Sequence, residues 1–271
     1  MEIEKDRLRV INRVDEESYV RSTVGRELPA DWPLEAVKAQ AVLARTFLPA
    51  NRGRHESDGA DVCDLTHCQA FAGRVSRPEV DRAVLETAGL VLIQDGRPSD
   101  IFFHSDCGGH TAWAQDVWPA GRSGLSGSPD GPEDRPSCAD SPHHRWRTEI
   151  SGMELALLMG VDEVSGDVAV TSRDRSGRAA QLRWGSRNLT GESLYLAWGR
   201  KRGWHELQST RFTVQRKGNY FVFEGSGLGH GVGLCQYGAR DRAQEGQGFR
   251  EILRHYFPPA DVRRRLPSDR F

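Results

Sequence analysis

The residues best suited to chemistry begin with Glu27, set in Arg26-Glu27-Leu28-Pro29-Ala30-Asp31-Trp32-Pro33. An acid bracketed by Leu28, Pro29 and Trp32 is partly held out of water. That disfavours its charged form and raises its pKa, the property a general acid needs near neutral pH. The competing reading is a surface glutamate in a turn. Lys38, Gln40 and Arg45 follow on the next predicted helix. Lys38 and Arg45 are two turns apart and share a face. A cation pair there could bind an anionic or polyhydroxyl ligand beside Glu27, or could simply form a solvated face. Glu35 belongs to the first turn, where a carboxylate suits the helix dipole.

A second cluster is His55 followed by Cys63-Asp64-Leu65-Thr66-His67-Cys68. Two thiolates and two imidazoles can make a tetrahedral zinc site, and four protein ligands leave no open position for water, so such a metal is structural. A Cys63–Cys68 disulfide is the alternative in an oxidising compartment. The third is Phe103-His104-Ser105-Asp106-Cys107-Gly108-Gly109-His110-Thr111, where paired glycines bring backbone close to a ligand. Cys107 could pair with Cys138 across the intervening loop, although spacing does not fix connectivity. The fourth, residues 225–239, alternates glycine at 225, 227, 229, 231 and 233 and contains His230, Cys235 and Gln236. Its register is neither a dinucleotide fingerprint nor a phosphate loop. A helix starting near Gln236 would offer its amides to an oxygen-rich ligand. Cys235 with His230 could form an activated thiol, or Cys235 could be a small buried residue.

The elements that must position these residues read as follows. Leu8–Ile11 and Ser18–Val24 have the composition of short strands. Asp31 is the expected cap, and Pro33 the first-turn proline, of a helix over 34–48. Leu34, Val37, Ala41, Ala44 and Leu48 would form its one apolar stripe. A second helix is expected over 78–88, strands over 90–93 and 100–105, and a long loop over 120–140. Residues 145–222 read as strands and turns with one short helix near 153–160, and helices are expected near 236–245 and 249–256. The whole is a mixed α+β chain, expected to form two lobes. The expected division is an N-terminal tail over 1–7, a domain over 8–262 with a second lobe over 142–222, and a basic tail over 263–271.

Composition limits the function. The 271 residues carry 37 basic and 38 acidic side chains, a net charge of −1. Nucleic acid is therefore not an expected partner, since neutralising phosphates needs a surplus of Lys and Arg. No apolar run approaches the ~20 residues that span a bilayer. The charged start, residues 1–9, does not read as an export signal. Five cysteines, an odd number, leave at least one outside any internal disulfide pairing.

Four stretches together resemble the stage II sporulation protein D / amidase enhancer (SpoIID/LytB) family. They are residues 19–47 (YVRSTVGRELPADWPLEAVKAQAVLARTF), 63–73 (CDLTHCQAFAG), 103–111 (FHSDCGGHT) and 225–239 (GSGLGHGVGLCQYGA), with 247–257 (QGFREILRHYF) also fitting. Their order and spacing agree over roughly residues 8–258. The resemblance implies a two-lobed SpoIID-like fold with a substrate groove between the lobes, and an extracytoplasmic protein acting on peptidoglycan glycan strands beside a partner N-acetylmuramoyl-L-alanine amidase. It implies a lytic transglycosylase that cleaves MurNAc–GlcNAc bonds of denuded strands and leaves 1,6-anhydro-MurNAc ends. The catalytic acid falls on Glu27 and the basic residues on Lys38 and Arg45. Gln40, His104, His230 and Gln236 are the further candidate substrate contacts. A structural zinc would be held by His55, Cys63, His67 and Cys68. One acid then suffices, unlike the carboxylate pair of ordinary glycosidases. Cys stands at 107 and 235 where many relatives have Ser. The alternative within the family is a non-catalytic, peptidoglycan-binding enhancer of a wall amidase. Outside it stand a thiol hydrolase built on Cys235 and His230 and a zinc hydrolase built on His104 and His110.

Overall fold

The structure, a computed structural model, describes residues 2–4, 7–118, 124–161 and 166–265. Residues 120–123 of the expected loop, 1, 5 and 6 of the expected N-terminal tail, and 266–271 of the expected C-terminal tail lie outside it. Among the described residues, eight α-helices and several small sheets make the chain mixed α+β. It divides into two compact units, residues 1–101 with 242–271, and residues 102–241.

The first unit opens with an antiparallel pair, β1 (Glu2–Glu4) and β2 (Arg7–Arg9). The expected strand at 18–24 is instead inside helix α1 (Glu16–Glu27). Asp15 caps it, its side chain accepting the Ser18 N–H at 2.9 Å, and Glu16 and Glu17 occupy the first turn. The β-branched Val20, Thr23 and Val24 suggested a strand, but their burial with Tyr19 follows the helical repeat, and packing overrides propensity. Helix α2 (Leu34–Ala50) starts from Pro33, not from the expected cap Asp31, which is exposed in a left-handed turn (φ 65°). The single apolar stripe expected on α2 is also superseded. Every residue from Ala36 to Phe47 except Lys38 is buried. The helix packs against α1, α3 (Pro78–Glu86), β3 (Leu90–Gln94) and a C-terminal helix, so it has no solvated side. Its alanines let those neighbours approach. Strand β3 pairs with β4 (Arg97–Pro98).

In the second unit β5 (Phe103–His104) is all that forms of the strand expected over 100–105. Helix α4 (Ala114–Val117) precedes β6 (Trp146–Ser151) and α5 (Gly152–Met159), whose Ser151 and Glu154 form a reciprocal capping box. Strands β7 (Val168–Arg173), β8 (Ala179–Trp184) and β9 (Arg187–Thr190) make one antiparallel sheet. Helix α6 (Gly191–Arg202) was not expected from sequence; Thr190 caps it and its Leu194 and Trp198 are buried. Strands β10 (Phe212–Lys217) and β11 (Tyr220–Gly225) form the other antiparallel sheet with β6. Trp146, Ile150, Leu182, Trp198, Phe212 and Phe223 belong to the core between these layers. Strand β12 (Leu234–Cys235) pairs in parallel with β5 and leads into α7 (Gln236–Gln244).

The chain then completes the first unit with α8 (Phe249–Tyr256) and β13 (Asp261–Arg264). Strand β13 lies antiparallel to β3, from Asp261 opposite Ile93 to Arg264 opposite Leu90, so Arg263 and Arg264 of the expected tail are in a strand. Glu35 Oε2 accepts the Phe249 N–H at 2.8 Å and so ties the start of α2 to the start of α8.

Candidate active site and metal centre

Helix α1 presents Tyr19, Thr23 and Glu27 at i, i+4 and i+8, on one face. The segment from Cys68 to Ala72 runs along it. The Phe71 ring stacks on Tyr19 at 5.8 Å, Ser22 Oγ accepts the Ala72 N–H at 3.0 Å, and the backbone of Ala70 faces the Glu27 carboxyl. Glu27 is the last residue of α1 and is partly buried. Burial pushes its pKa above the ordinary 4.5, against the opposing pull of the Ala70 backbone and Arg26. The negative end of the helix dipole acts in the same direction as burial. Arg77 fixes this helix end, donating to the carbonyls of Gly25 (3.1 Å), Leu28 (2.8 Å) and Pro29 (2.8 Å). Burial also holds the Tyr19 phenol protonated, with Cys68, Cys63 and Glu27 adding to the effect. Tyr19 thus lies within electrostatic reach of both the carboxyl and the thiols.

Two glutamines in this unit stand out. Gln40 on α2 and Gln69 beside Cys68 are 1 % and 2 % exposed, and neither amide oxygen nor amide nitrogen of either has a hydrogen bond. Buried, unpaired amides are costly and rare, and they mark places where a ligand or water supplies the missing partner.

Lys38 and Arg45 are each engaged within the unit. Lys38 Nζ lies 2.6 Å from Glu35 Oε1 and 2.6 Å from Glu86 Oε2. Burial works against its charge, but the two carboxylates outweigh that and raise its pKa. Arg45 has no exposed surface. Its Nε and Nη2 form a fork on Glu17 at 2.9 and 2.8 Å, and it donates to the carbonyls of Leu90 (3.1 Å) and Val84 (3.4 Å). One guanidinium therefore ties α2 to α1, α3 and β3.

His55, Cys63, His67 and Cys68 converge, with ligand atoms all within 4.8 Å of one another. His67 Nδ1 is 3.2 Å from His55 Nε2 and 3.8 Å from each of the two sulfurs. Metal–sulfur bonds of about 2.3 Å and metal–nitrogen bonds of about 2.0–2.1 Å give a tetrahedron edges of roughly 3.3–3.8 Å. These side chains could therefore hold a metal ion. Asp58 Oδ2, 3.3 Å from His55 Nδ1, is placed to fix the tautomer that leaves Nε2 as ligand. Both cysteines are free thiols. Burial raises the Cys68 pKa, and burial, then Arg54 and His55, lower that of His67. His67 is therefore neutral, the form that binds metal.

In the second unit His104 and His230 have ring centroids 5.5 Å apart, with Trp118 5.0 Å from His230. His104 Nδ1 bonds the Val232 carbonyl at 3.1 Å, leaving a buried, unpaired Nε2. His230 Nδ1 accepts the Val232 N–H at 3.0 Å. Burial, His230 and Arg178 hold the His104 pKa well below 6.5, while burial and then Arg178 lower that of His230 to about 4. Both rings are neutral hydrogen-bonding groups at pH 7. The alternating glycines serve close approach. Gly229 (φ 105°) would bring a Cβ to 3.0 Å from His104 Cβ, and at Gly231 (φ 84°) a Cβ would collide with the Arg178 guanidinium. Gln236, 7 % exposed at the start of α7, has an unpaired Nε2.

Two chemistries weighed from sequence find no support. Cys235 is fully buried and burial holds its pKa well above 9, so it is no accessible nucleophile. His110 turns Nδ1 to the Thr111 carbonyl at 2.7 Å and stacks on Trp113. No group of three or more metal-ligating side chains among the described residues includes His104 or His110. A surface cavity of about 850 Å³ in the second unit, lined by Arg145, Arg147, Arg173 and Arg211, contains none of the expected site residues. Sequence reasoning missed Tyr19, Thr23 and Gln69. The i, i+4, i+8 spacing of Tyr19, Thr23 and Glu27 was the signal available for the first two.

Comparison with known proteins agrees with the motifs. The SpoIID family model, described as "Stage II sporulation protein", matches residues 4–93. Stage II sporulation protein D of Bacillus amyloliquefaciens is 27 % identical over 93 % of this chain and 75 % of its own. The amidase enhancer of Bacillus subtilis is 26 % identical over 88 % of this chain and 39 % of its own. An uncharacterised protein of Brachyspira hyodysenteriae is 28 % identical over 95 % of this chain and 69 % of its own. With the motifs in the same order along the chain, these matches lead to one conclusion: the chain is similar over residues 4–93 to the SpoIID family model and over most of its length to stage II sporulation protein D and to the amidase enhancer.

Proposed function

We propose that this cell-wall-related protein is a lytic transglycosylase of peptidoglycan with Glu27 as its acid and base. The observation that carries the reading is the partly buried Glu27 carboxyl at the end of α1, with a pKa raised by burial. A protonated carboxyl can give its proton to the glycosidic oxygen between MurNAc and GlcNAc. The resulting carboxylate then takes the proton of the sugar's 6-hydroxyl as that oxygen attacks the anomeric carbon, which closes a 1,6-anhydro ring without water. The buried amides of Gln40 and Gln69 suit a polyhydroxyl ligand. His104, His230 and Gln236 are proposed as further polar contacts to glycan, offered by the second unit. In this reading Arg45 acts as a positioning residue that holds α1 through Glu17.

Zinc is the metal that a Cys63, Cys68, His55 and His67 donor set suits, and with four ligands its role is structural. It would brace the loop that runs into the Cys68–Ala72 segment along α1. Denuded glycan strands are the proposed substrate, a wall amidase the proposed partner, and the far side of the cytoplasmic membrane the proposed location. No helix among the described residues is long and apolar enough to cross a membrane.

The engagement of Lys38 by Glu35 and Glu86, and the full burial of Arg45, favour a second reading. With neither cation free, the chain would bind glycan and stimulate an amidase without cutting. The test is mass spectrometry of products from amidase-denuded strands treated with wild type and with Glu27→Gln. Anhydro-MurNAc ends from wild type alone are expected. Reducing MurNAc ends would mean that water is the nucleophile. Binding by both proteins without cleavage would establish the enhancer reading.

A further inference from the structure

Three of the five cysteines lie in the second unit, far apart in sequence, and the fold brings them together. Cys107 follows β5, Cys138 sits in the loop before β6, and Cys235 ends β12. All three are fully buried. With the Asp106 carboxylate their ligand atoms lie within 4.8 Å of one another. We propose that Cys107, Cys138, Cys235 and Asp106 form a second, structural metal site for zinc, independent of the His55–Cys68 group and of the Glu27 chemistry.

The geometry is that of ligands around an ion. Cys107 Sγ and Cys138 Sγ are 3.6 Å apart. A disulfide needs about 2.05 Å, whereas the sulfur–sulfur edge of a zinc tetrahedron is about 3.8 Å for bonds of about 2.3 Å. Two of the thiols donate, Cys107 to Asp130 Oδ2 at 3.3 Å and Cys235 to the Ser105 carbonyl at 3.8 Å, and the same two sulfurs also accept backbone amides. Cys235 Sγ receives the N–H groups of Cys107 (3.3 Å) and Gly238 (3.4 Å), and Cys107 Sγ receives that of Gly109 (3.3 Å). Amides aimed at sulfur stabilise a thiolate, the form that binds metal.

Asp106 supplies an independent indication. Its side chain has no exposed surface. Oδ1 accepts the Gly108 N–H at 2.7 Å, but Oδ2 is buried without a hydrogen bond. A buried carboxylate oxygen that accepts no hydrogen bond and lies beside three sulfurs has lone pairs to offer an ion. His144 Nδ1 stands 3.7 Å from both Asp106 Oδ2 and Cys138 Sγ, where it can orient the carboxylate from outside the ligand set. Three thiolates with a carboxylate select zinc over the hard cations. A Cys107–Cys138 disulfide would use two sulfurs and leave Cys235 and Asp106 Oδ2 without a role.

The site would join three loops. Asp106 exchanges two backbone hydrogen bonds with Leu228, at 2.9 and 3.1 Å, so the ion would also brace the glycine-rich segment that carries His230. Binding releases the thiol protons to solvent, so loading is pH-dependent.

The test is zinc stoichiometry by elemental analysis and native mass spectrometry on full-length protein purified without chelators. Two zinc ions per wild-type chain are expected. One should remain in Cys63→Ser/Cys68→Ser, and none when Cys138→Ser is added. Cobalt loaded into Cys63→Ser/Cys68→Ser should give a thiolate charge-transfer band and intense tetrahedral d–d bands. A folded Cys63→Ser/Cys68→Ser variant that holds no metal and lacks those bands would overturn the proposal. So would an intact mass and peptide map showing Cys107 bonded to Cys138. If the variant does not fold, wild type and Cys138→Ser decide: one ion fewer in Cys138→Ser than in wild type supports the site, and an equal count, or no metal in wild type, overturns it.

Discussion

At Glu27, the proposed acid, stability and the proposed chemistry pull in opposite directions. Its pKa is raised above 4.5 because burial penalises the ionised carboxylate. The folded state therefore keeps its proton to higher pH than the unfolded chain. Folding stability falls as pH rises from the unfolded pKa through the folded one, and above that window the full penalty remains. Glu27→Gln removes the penalty. Its melting temperature should exceed that of wild type at pH 7–8, and the two should converge as pH falls toward 4, while glycan cleavage is lost. Thermal melts across that range check this; a variant less stable than wild type at pH 8 would mean that Glu27 is a paired structural residue. The partial burial of Glu27 was readable from its apolar bracket, and the four side chains that could hold a metal from type and spacing. Gln69 was not readable, because nothing local distinguishes a buried, unpaired amide from an exposed one.

Helices α1 and α2 decide where Glu27 stands, and Arg45 joins them. Truncating the buried member of this partly exposed pair leaves its hydrogen-bond partners unsatisfied, at about 1–3 kcal/mol. Arg45→Met should therefore lower stability by that amount in urea unfolding, since Glu17 and the carbonyls of Leu90 and Val84 lose their donor. Arg45→Lys should not restore it, because an ammonium cannot reproduce the fork on Glu17. Equal loss of activity and fold would fit a positioning role; a folded Arg45→Met variant with weakened glycan binding alone would make Arg45 a substrate contact. At the proposed zinc site, Cys68→Ser should lower the zinc content by one equivalent and reduce the melting temperature, read by elemental analysis and calorimetry. Unchanged metal content would remove Cys68 from the ligand set. Sequence reading was least secure at this scale. Helix α2 was clear from its spacing and α8 from its amphipathic pattern. Helix α1 was mistaken for a strand because Val20, Thr23 and Val24 favour strands locally, although Asp15 already offered a cap. Helix α6 was hidden among aromatic and arginine residues whose burial only the fold reveals.

At the scale of the whole chain, the first unit is assembled from both ends of the sequence. Its helices α1–α3 and strands β3 and β4 come from residues 1–101, but α8 packs on α2 and β13 pairs with β3 only after 140 intervening residues, 102–241. These long-range pairings, like the parallel pair of β5 with β12, leave no local trace in sequence, whereas the mixed α+β class was evident from alternating patterns. The physical consequence follows from α2. Its residues from Ala36 to Phe47 are buried all round save Lys38, so removing α8 uncovers apolar surface, and removing β13 leaves β3 with an open edge. Exposed apolar faces and bare strand edges favour association over folding. Residues 1–101 made alone should therefore be aggregation-prone and lack a cooperative thermal transition. A 242–265 segment supplied in trans should restore solubility and the transition. The matched family region, residues 4–93, lies within this fragment, so the same experiment asks whether that region is a folding unit. Cooperative melting of 1–101 by itself would show that it is, and that the C-terminal strand and helix are additions to a finished core.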